Sequence, residues 1–114
     1  MSTKKGEVIE LVRKSVQADQ LKRSVVYWDS RVIKSGTTVD LGGQQHNILY
    51  DCTLAFVDLA PNFNWAHPCL HLLIREDKSE AEQVKDSFPP RRRGFPDDFK
   101  VILRFGKEIS GEET

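Results

Sequence analysis

The residues with the greatest capacity for chemistry lie in one short run, from Trp65 to His71. Side chains two residues apart on a β-strand share a face, so His67, Cys69 and His71 would form one column. Imidazole and thiolate are good zinc ligands, and the column is therefore a candidate metal site. A neighbouring strand would have to supply a further ligand, for which the candidates are Asp51, Cys52 and His46.

The spacing of this column limits what it can bind. An extended strand rises about 13 Å from the first to the third of these positions, so one strand cannot bind a metal ion with all three side chains. The structural interpretation is a partly solvent-exposed sheet face that carries His67 and His71, with Cys69 in a small space between them. The sequence favours this structural interpretation, and zinc binding is the alternative.

A cysteine nucleophile is the second chemistry that these residues suggest. An imidazolium from His67 or His71 could stabilise a Cys69 thiolate. Catalytic partners normally come from different elements, however, and neighbours on one strand have poor attack geometry. Neither cysteine stands in a Gln-Ala-Cys or Cys-Gly-Ser-Cys run, so the sequence indicates no catalytic residue.

Two loops carry the residue types of protein interfaces. Phe63 and Trp65 stand in a turn between two predicted strands, where large aromatic side chains either cover the core or anchor a partner. A second, proline-bounded loop concentrates positive charge and could bind phosphate or an acidic partner. The predicted partner-binding residues are Phe63, Trp65, Arg91, Arg92 and Arg93.

Composition restricts the class of partner. Lys+Arg and Asp+Glu both number 17, so the net charge is zero and offers no overall attraction to nucleic acid or an anionic membrane. No apolar run of membrane-spanning length or signal-peptide form is visible. Two cysteines are too few for a disulfide framework, which predicts a cytoplasmic protein. We expect one globular domain over residues 1–106 and a polar, frayed tail over 107–114.

The chain begins with a predicted amphipathic helix over residues 7–23, whose less regular far end leaves open a stop near Ala18 or an extension to Ser24. Its apolar residues recur every three or four positions: Val8, Ile9, Leu11, Val12 and Val16. Packing against the rest of the chain is the simplest use of this face, and docking into a partner is the alternative.

Strands are predicted after the helix from β-branched and aromatic residues and from apolar alternation. The predicted strands are 25–33 with a bulge or turn at Asp29-Ser30, 38–41 closed by a turn at Gly42-Gly43, a central strand within 48–59, 66–75 and 99–105.

A second short helix is predicted between the last two of these strands. Ser79 and Glu82 have the spacing of a capping box, Ala81, Val84 and Phe88 form a narrow apolar stripe, and prolines follow. The predicted fold is therefore α+β: a mainly antiparallel sheet of about four to five strands, with an N-terminal amphipathic helix and a second short helix before the last strand. The direction of the last strand is left open.

These observations favour a non-catalytic protein-interaction or regulatory module whose partner is another, unidentified protein. The alternative is a small metal-binding protein or hydrolase that uses His67, Cys69 and His71. Nucleic acid and membrane partners are not expected.

Overall fold

The computed structural model describes residues 5–61, 69–76, 80–86 and 99–109. Over these residues the fold is α+β, with a six-stranded sheet, two helices and a separate two-stranded sheet. Every strand pair in the described residues is antiparallel. Among the same residues, no helix has the length and apolar character needed to cross a membrane.

The elements follow one another in this order: α1 Lys5–Ser15, α2 Ala18–Leu21, β1 Val25–Ile33, β2 Thr38–Leu41, β3 Gln44–Asn47, β4 Cys52–Asp58, β5 Cys69–Arg75, β6 Ala81–Asp86, β7 Lys100–Arg104 and β8 Lys107–Glu108. The strand order of the large sheet is β6-β5-β4-β1-β7-β8, and β2 pairs with β3 in the small sheet. Strand β4 lies inside the large sheet, as its continuous apolar sequence predicts.

Both faces of the large sheet are covered. One face packs under the helices in a helix-side core, which includes Val8, Val12, Val26, Ala55, Val57, Leu70, Leu72 and Ile74. The other face contributes to a hairpin-side core with residues of and around the β2–β3 hairpin: Ile33, Leu41, Ile48, Cys52, Leu54, Leu73 and Phe99. This double coverage explains why β4 and β5 are apolar on both faces.

The predicted N-terminal helix is divided in two. Helix α1 buries Val8, Ile9, Leu11 and Val12, as the apolar spacing predicts. Gln17 has extended backbone angles, and α2 begins at the next residue. The hydroxyl of Ser15 donates to the Leu11 carbonyl at 2.8 Å, a bond by which serine competes with the backbone at a helix end.

Strand β1 is irregular in the region where the sequence predicts a bulge or turn. The register of β1 with β4 shifts between Asp29 and Ile33. The buried Asp29 carboxylate accepts hydrogen bonds from the Arg31 backbone N–H at 3.0 Å and from its guanidinium at 2.9 Å. This local arrangement satisfies a charge that would otherwise be costly to bury.

The prediction of a second helix around Glu82 is wrong, because residues Ala81–Asp86 form strand β6. Ala81 packs against the helix-side core, and Val84 packs against the hairpin-side core. Residues three apart share a face on a helix but lie on opposite faces of a strand, so a sheet covered on both sides can bury both residues. Pairing with β5 outweighs the local helix signal. Ser79 and Phe88 lie outside the described residues.

The sheets contain more strands than predicted, because β6 is predicted as a helix and two further short strands have no apolar pattern. Strand β3, Gln44–Asn47, pairs with β2 across Gly42 and Gly43, whose φ angles are +65° and +94°. A two-residue hairpin turn with both φ angles positive matches the twist of its strands. Strand β8 pairs with β7 and extends the described fold to residue 109, beyond the predicted boundary at 106.

Candidate functional site

Most of the predicted site residues lie outside the described part of the chain. These are the proposed partner anchors and one member of the proposed zinc column: Phe63, Trp65, Arg91, Arg92, Arg93 and His67. Of the predicted column, the structure describes Cys69 and His71.

Cys69 and His71 share one face of β5, as the sequence predicts. Both are buried, with 3% and 0% of their surface exposed. The His71 ring lies 5.4 Å from the ring of Phe56, its partner on β4, and Phe56 lies 6.0 Å from Tyr27 on β1. His71 is thus part of a row of packed rings across the sheet.

Cys52, one of the further ligands suggested by the sequence, lies far from this row along β4. Cys69 is opposite Asp58 and His71 is opposite Phe56, whereas Cys52 lies at the other end of β4, opposite Arg75. The strand rises about 13 Å over the four residues from Cys52 to Phe56. Within the described residues, no three His, Cys, Asp or Glu side chains come together in a way that could hold a metal ion.

The two cysteines are not joined to each other. Cys52 and Asp58, the partner of Cys69, are six positions apart on β4, a rise of about 20 Å. A disulfide requires Cα atoms roughly 4.4–6.8 Å apart. Both cysteine side chains belong to the buried interior.

Sequence reasoning missed a groove on the helix side of the sheet. The groove has a volume of about 410 Å³ and lies between the α1–α2 junction and strands β5 and β6. Val16, Leu59 and Leu70 supply apolar lining, and Cys69 also borders the groove. Its polar lining consists of Ser15, Gln17, Gln20, Gln83 and Lys85.

The polar side chains of this groove are available to a ligand. Gln17, Gln20, Gln83 and Lys85 are all exposed, and their side chains form no hydrogen bond or ion pair with other described residues. The hydroxyl of Ser15 is the exception, because it donates to the Leu11 carbonyl. Three amides and one ammonium group can therefore donate hydrogen bonds to a bound molecule.

Strand β6 forms the outer wall of the groove and is the outermost strand among those described. The Arg75 N–H donates to the Glu80 carbonyl at 3.0 Å, just before β6 begins. Hydrogen-bonded and non-hydrogen-bonded pairs alternate along an antiparallel ladder, so the backbone groups of Glu82 and Val84 face β5. The N–H and C=O groups of Ala81, Gln83 and Lys85 consequently face outward.

Two of the residues whose backbone groups face outward also place their side chains beside the groove. Gln83 and Lys85 have outward backbone groups, and their side chains line the groove on the helix side. A molecule that pairs with this edge can therefore contact the backbone and the groove together.

A cluster on the opposite face holds the start of β6 against the rest of the sheet. The Arg75 guanidinium lies 4.3 Å from the centre of the Tyr50 ring, and the Tyr50 hydroxyl donates to Glu82. Burial, followed by the hydrogen bond and charge of Glu82, raises the pKa of Tyr50 to about 12. Leu49, which precedes Tyr50 in the chain, lies outside this cluster and has 82% of its surface exposed to solvent. The cluster fixes the position of Glu82 and so of the strand that carries it.

No local signal in the sequence identifies the groove. Gln17 and Gln20 lie at the far end of the predicted first helix, and Gln83 and Lys85 lie within the segment predicted as a second helix. Only the placement of β6 beside β5, under the α1–α2 junction, brings these residues together.

Comparisons with protein family models, with curated proteins and with solved structures give no match to this chain.

Proposed function

We propose that the chain is a non-catalytic protein-interaction module that binds an extended segment of a partner protein along strand β6. The observation that carries this proposal is the combination of a strand that is outermost among those described with a groove alongside it. Addition of a strand to a sheet edge is a common mode of peptide recognition, in which backbone hydrogen bonds give affinity and side-chain pockets give specificity.

The geometry of the edge supports this mode of binding. The outward-facing N–H and C=O groups of Gln83 and Lys85 can form a ladder with an added strand at a spacing of about 4.8 Å. The added strand would place every second side chain on the helix side, next to the groove. Apolar contacts would come from Leu59 and Leu70, and hydrogen bonds from the glutamines.

The described residues support binding better than catalysis. Cys69 and His71 are buried in the sheet, and the buried carboxylate of Asp29 is bound by Arg31. The groove offers amides and one amine among its polar side chains, without a carboxylate or imidazole to act as a base. Such a lining is better suited to binding a partner segment than to acid–base catalysis.

The proposal can be tested with random twelve-residue peptides displayed on phage and selected on the immobilised full chain. A Gln83→Pro substitution removes an outward-facing N–H and leaves the hydrogen bonds between β5 and β6 in place, since proline is tolerated on edge strands. We expect selected peptides to bind the Gln83→Pro variant about tenfold more weakly, equivalent to one lost hydrogen bond of about 1.4 kcal/mol.

The matched control is Gln83→Ala, which shortens the side chain and keeps the N–H. It removes only the side-chain amide, so it should bind the selected peptides more tightly than Gln83→Pro does, and all variants should unfold at similar temperatures. The proposal is wrong if the full chain selects no peptide, or if Gln83→Pro binds the selected peptides as tightly as the unaltered chain.

A further inference from the structure

We propose that the segment bound along β6 carries an acidic side chain that lies beside Lys85 in the groove. This inference rests on the proposed function and names the chemistry of the partner: an extended peptide with Asp or Glu at a position that faces the helix side of the sheet.

The position of the acidic residue follows from strand geometry. Residues directly opposite each other on neighbouring strands point their side chains to the same face. A peptide residue paired with Lys85 therefore lies on the helix side, where the Lys85 side chain lines the groove. The peptide residue two positions away is opposite Gln83 and also faces the groove.

The charge of the groove determines which side chain suits this position. Lys85 is the charged member of its lining, which contains no Asp or Glu. Within the described residues Lys85 takes part in no ion pair, and Glu82 lies on the opposite face, where it accepts a hydrogen bond from Tyr50. An added strand would remove water from Lys85, and a carboxylate on that strand would offset this cost.

The glutamines strengthen the preference for an acidic residue. The side-chain amides of Gln17, Gln20 and Gln83 can each donate to carboxylate oxygens that a single ammonium group would leave unsatisfied. A lysine or arginine at the same peptide position would place two positive charges side by side.

Charge also argues against a second copy of the chain as the occupant. In antiparallel pairing of two β6 strands centred on Gln83, Lys85 of each copy would be opposite Ala81 of the other. Lys85 would then lose water without gaining a carboxylate on the same face. Lysine on an edge strand also discourages the pairing of identical edges.

The experiment uses three synthetic peptides in which threonine and valine alternate around a central glutamate, glutamine or lysine, each with a fluorescent label. Anisotropy titrations with the full chain should give the tightest binding for the glutamate peptide. The glutamine peptide should bind about three- to tenfold more weakly, the range expected between an exposed ion pair and a charge-assisted hydrogen bond. The glutamate advantage should shrink as salt is added.

A Lys85→Glu variant should reverse the preference and bind the lysine peptide most tightly. The matched control is Lys100→Glu, which makes the same charge change on β7, on the far side of β1 from β6. This control should keep the original order of affinities.

The possible failures are distinguishable. Equal affinity for the three peptides, or an unchanged glutamate preference in Lys85→Glu, overturns the acidic partner and leaves strand addition intact. Absence of binding by all three peptides counts against strand addition itself. Dimerisation of the full chain that is abolished by Gln83→Pro would assign the edge to a second copy and would also overturn the inference.

Discussion

His71 shows how a residue with catalytic potential can serve the interior of a sheet. Its ring packs on Phe56 and is fully buried, so it contributes contact area in the row that continues to Tyr27. Sequence periodicity predicted correctly that Cys69 and His71 share a face. It could not predict burial of that face, which depends on distant parts of the chain.

Replacement of His71 by alanine should destabilise the fold by about 2–4 kcal/mol, because it leaves a cavity where a ring packs against Phe56. Urea unfolding of the full chain measures this loss. The control is His46→Ala in the small two-stranded sheet, where the side chain is only partly buried and the loss should be smaller. Equal losses in the two variants would contradict the packing role of His71.

Tyr50 should make stability depend on pH in the alkaline range. Its pKa is raised from 10.0 to about 12, chiefly by burial and then by the hydrogen bond to Glu82. The folded state therefore holds the phenol proton more tightly than the unfolded state does. The stabilisation is fully present below pH 10 and is lost as the pH rises from 10 to about 12.

This dependence can be measured by urea unfolding of the full chain and of a Tyr50→Phe variant across the same pH range. The difference in free energy of unfolding between the two should fall as pH rises through the Tyr50 transition. A Tyr27→Phe variant isolates the tyrosinate absorbance of Tyr50, because the chain contains two tyrosines. Ionisation of Tyr50 at its ordinary pKa would contradict the predicted contribution of burial and Glu82.

At the scale of the element, the β2–β3 hairpin depends on the conformation of its turn. Gly43 has φ +94°, and a Cβ added there would meet no atom within 4 Å. A Gly43→Ala variant should therefore lose about 1 kcal/mol from backbone strain alone, without a steric clash.

Gly6 in helix α1 provides the matched control. A Cβ at this position also meets nothing within 4 Å, and its φ angle is not in the positive range. Gly6→Ala should stabilise the chain by up to about 1 kcal/mol, since alanine favours a helix over glycine. Thermal unfolding of the two variants should thus shift in opposite directions, and a shift in the same direction would contradict the assigned turn.

The elements that sequence predicted well are those whose patterns are local. Helix α1 and the long strand β1, including its bulge, show clear periodicity or composition. The sequence predicts a helix at strand β6 because Ala81 and Val84 lie three residues apart, a helical spacing. Their burial on opposite faces of a strand depends on the two-sided coverage of the sheet, which the local sequence does not show. Strand β3 contains no apolar residue that could have marked it.

At the scale of the whole molecule, sequence indicated the α+β class and the antiparallel character but could not give the strand order. The order depends on pairing between distant segments, as between Val25 of β1 and Arg104 of β7. The groove shares this dependence, because Gln17 and Lys85 belong to segments far apart in the chain. For this reason the candidate site cannot be identified from the sequence and is evident only in the folded sheet.

The position of β1 between β4 and β7 has a consequence for synthesis on the ribosome. Strand β4 follows β1 closely and can pair with it early, whereas β7 is made much later. Until then, the other side of β1 is an open strand edge with Val25 and Val26 along it, a surface prone to association with other nascent chains. We therefore expect the growing chain to be most prone to association in the interval before β7 emerges.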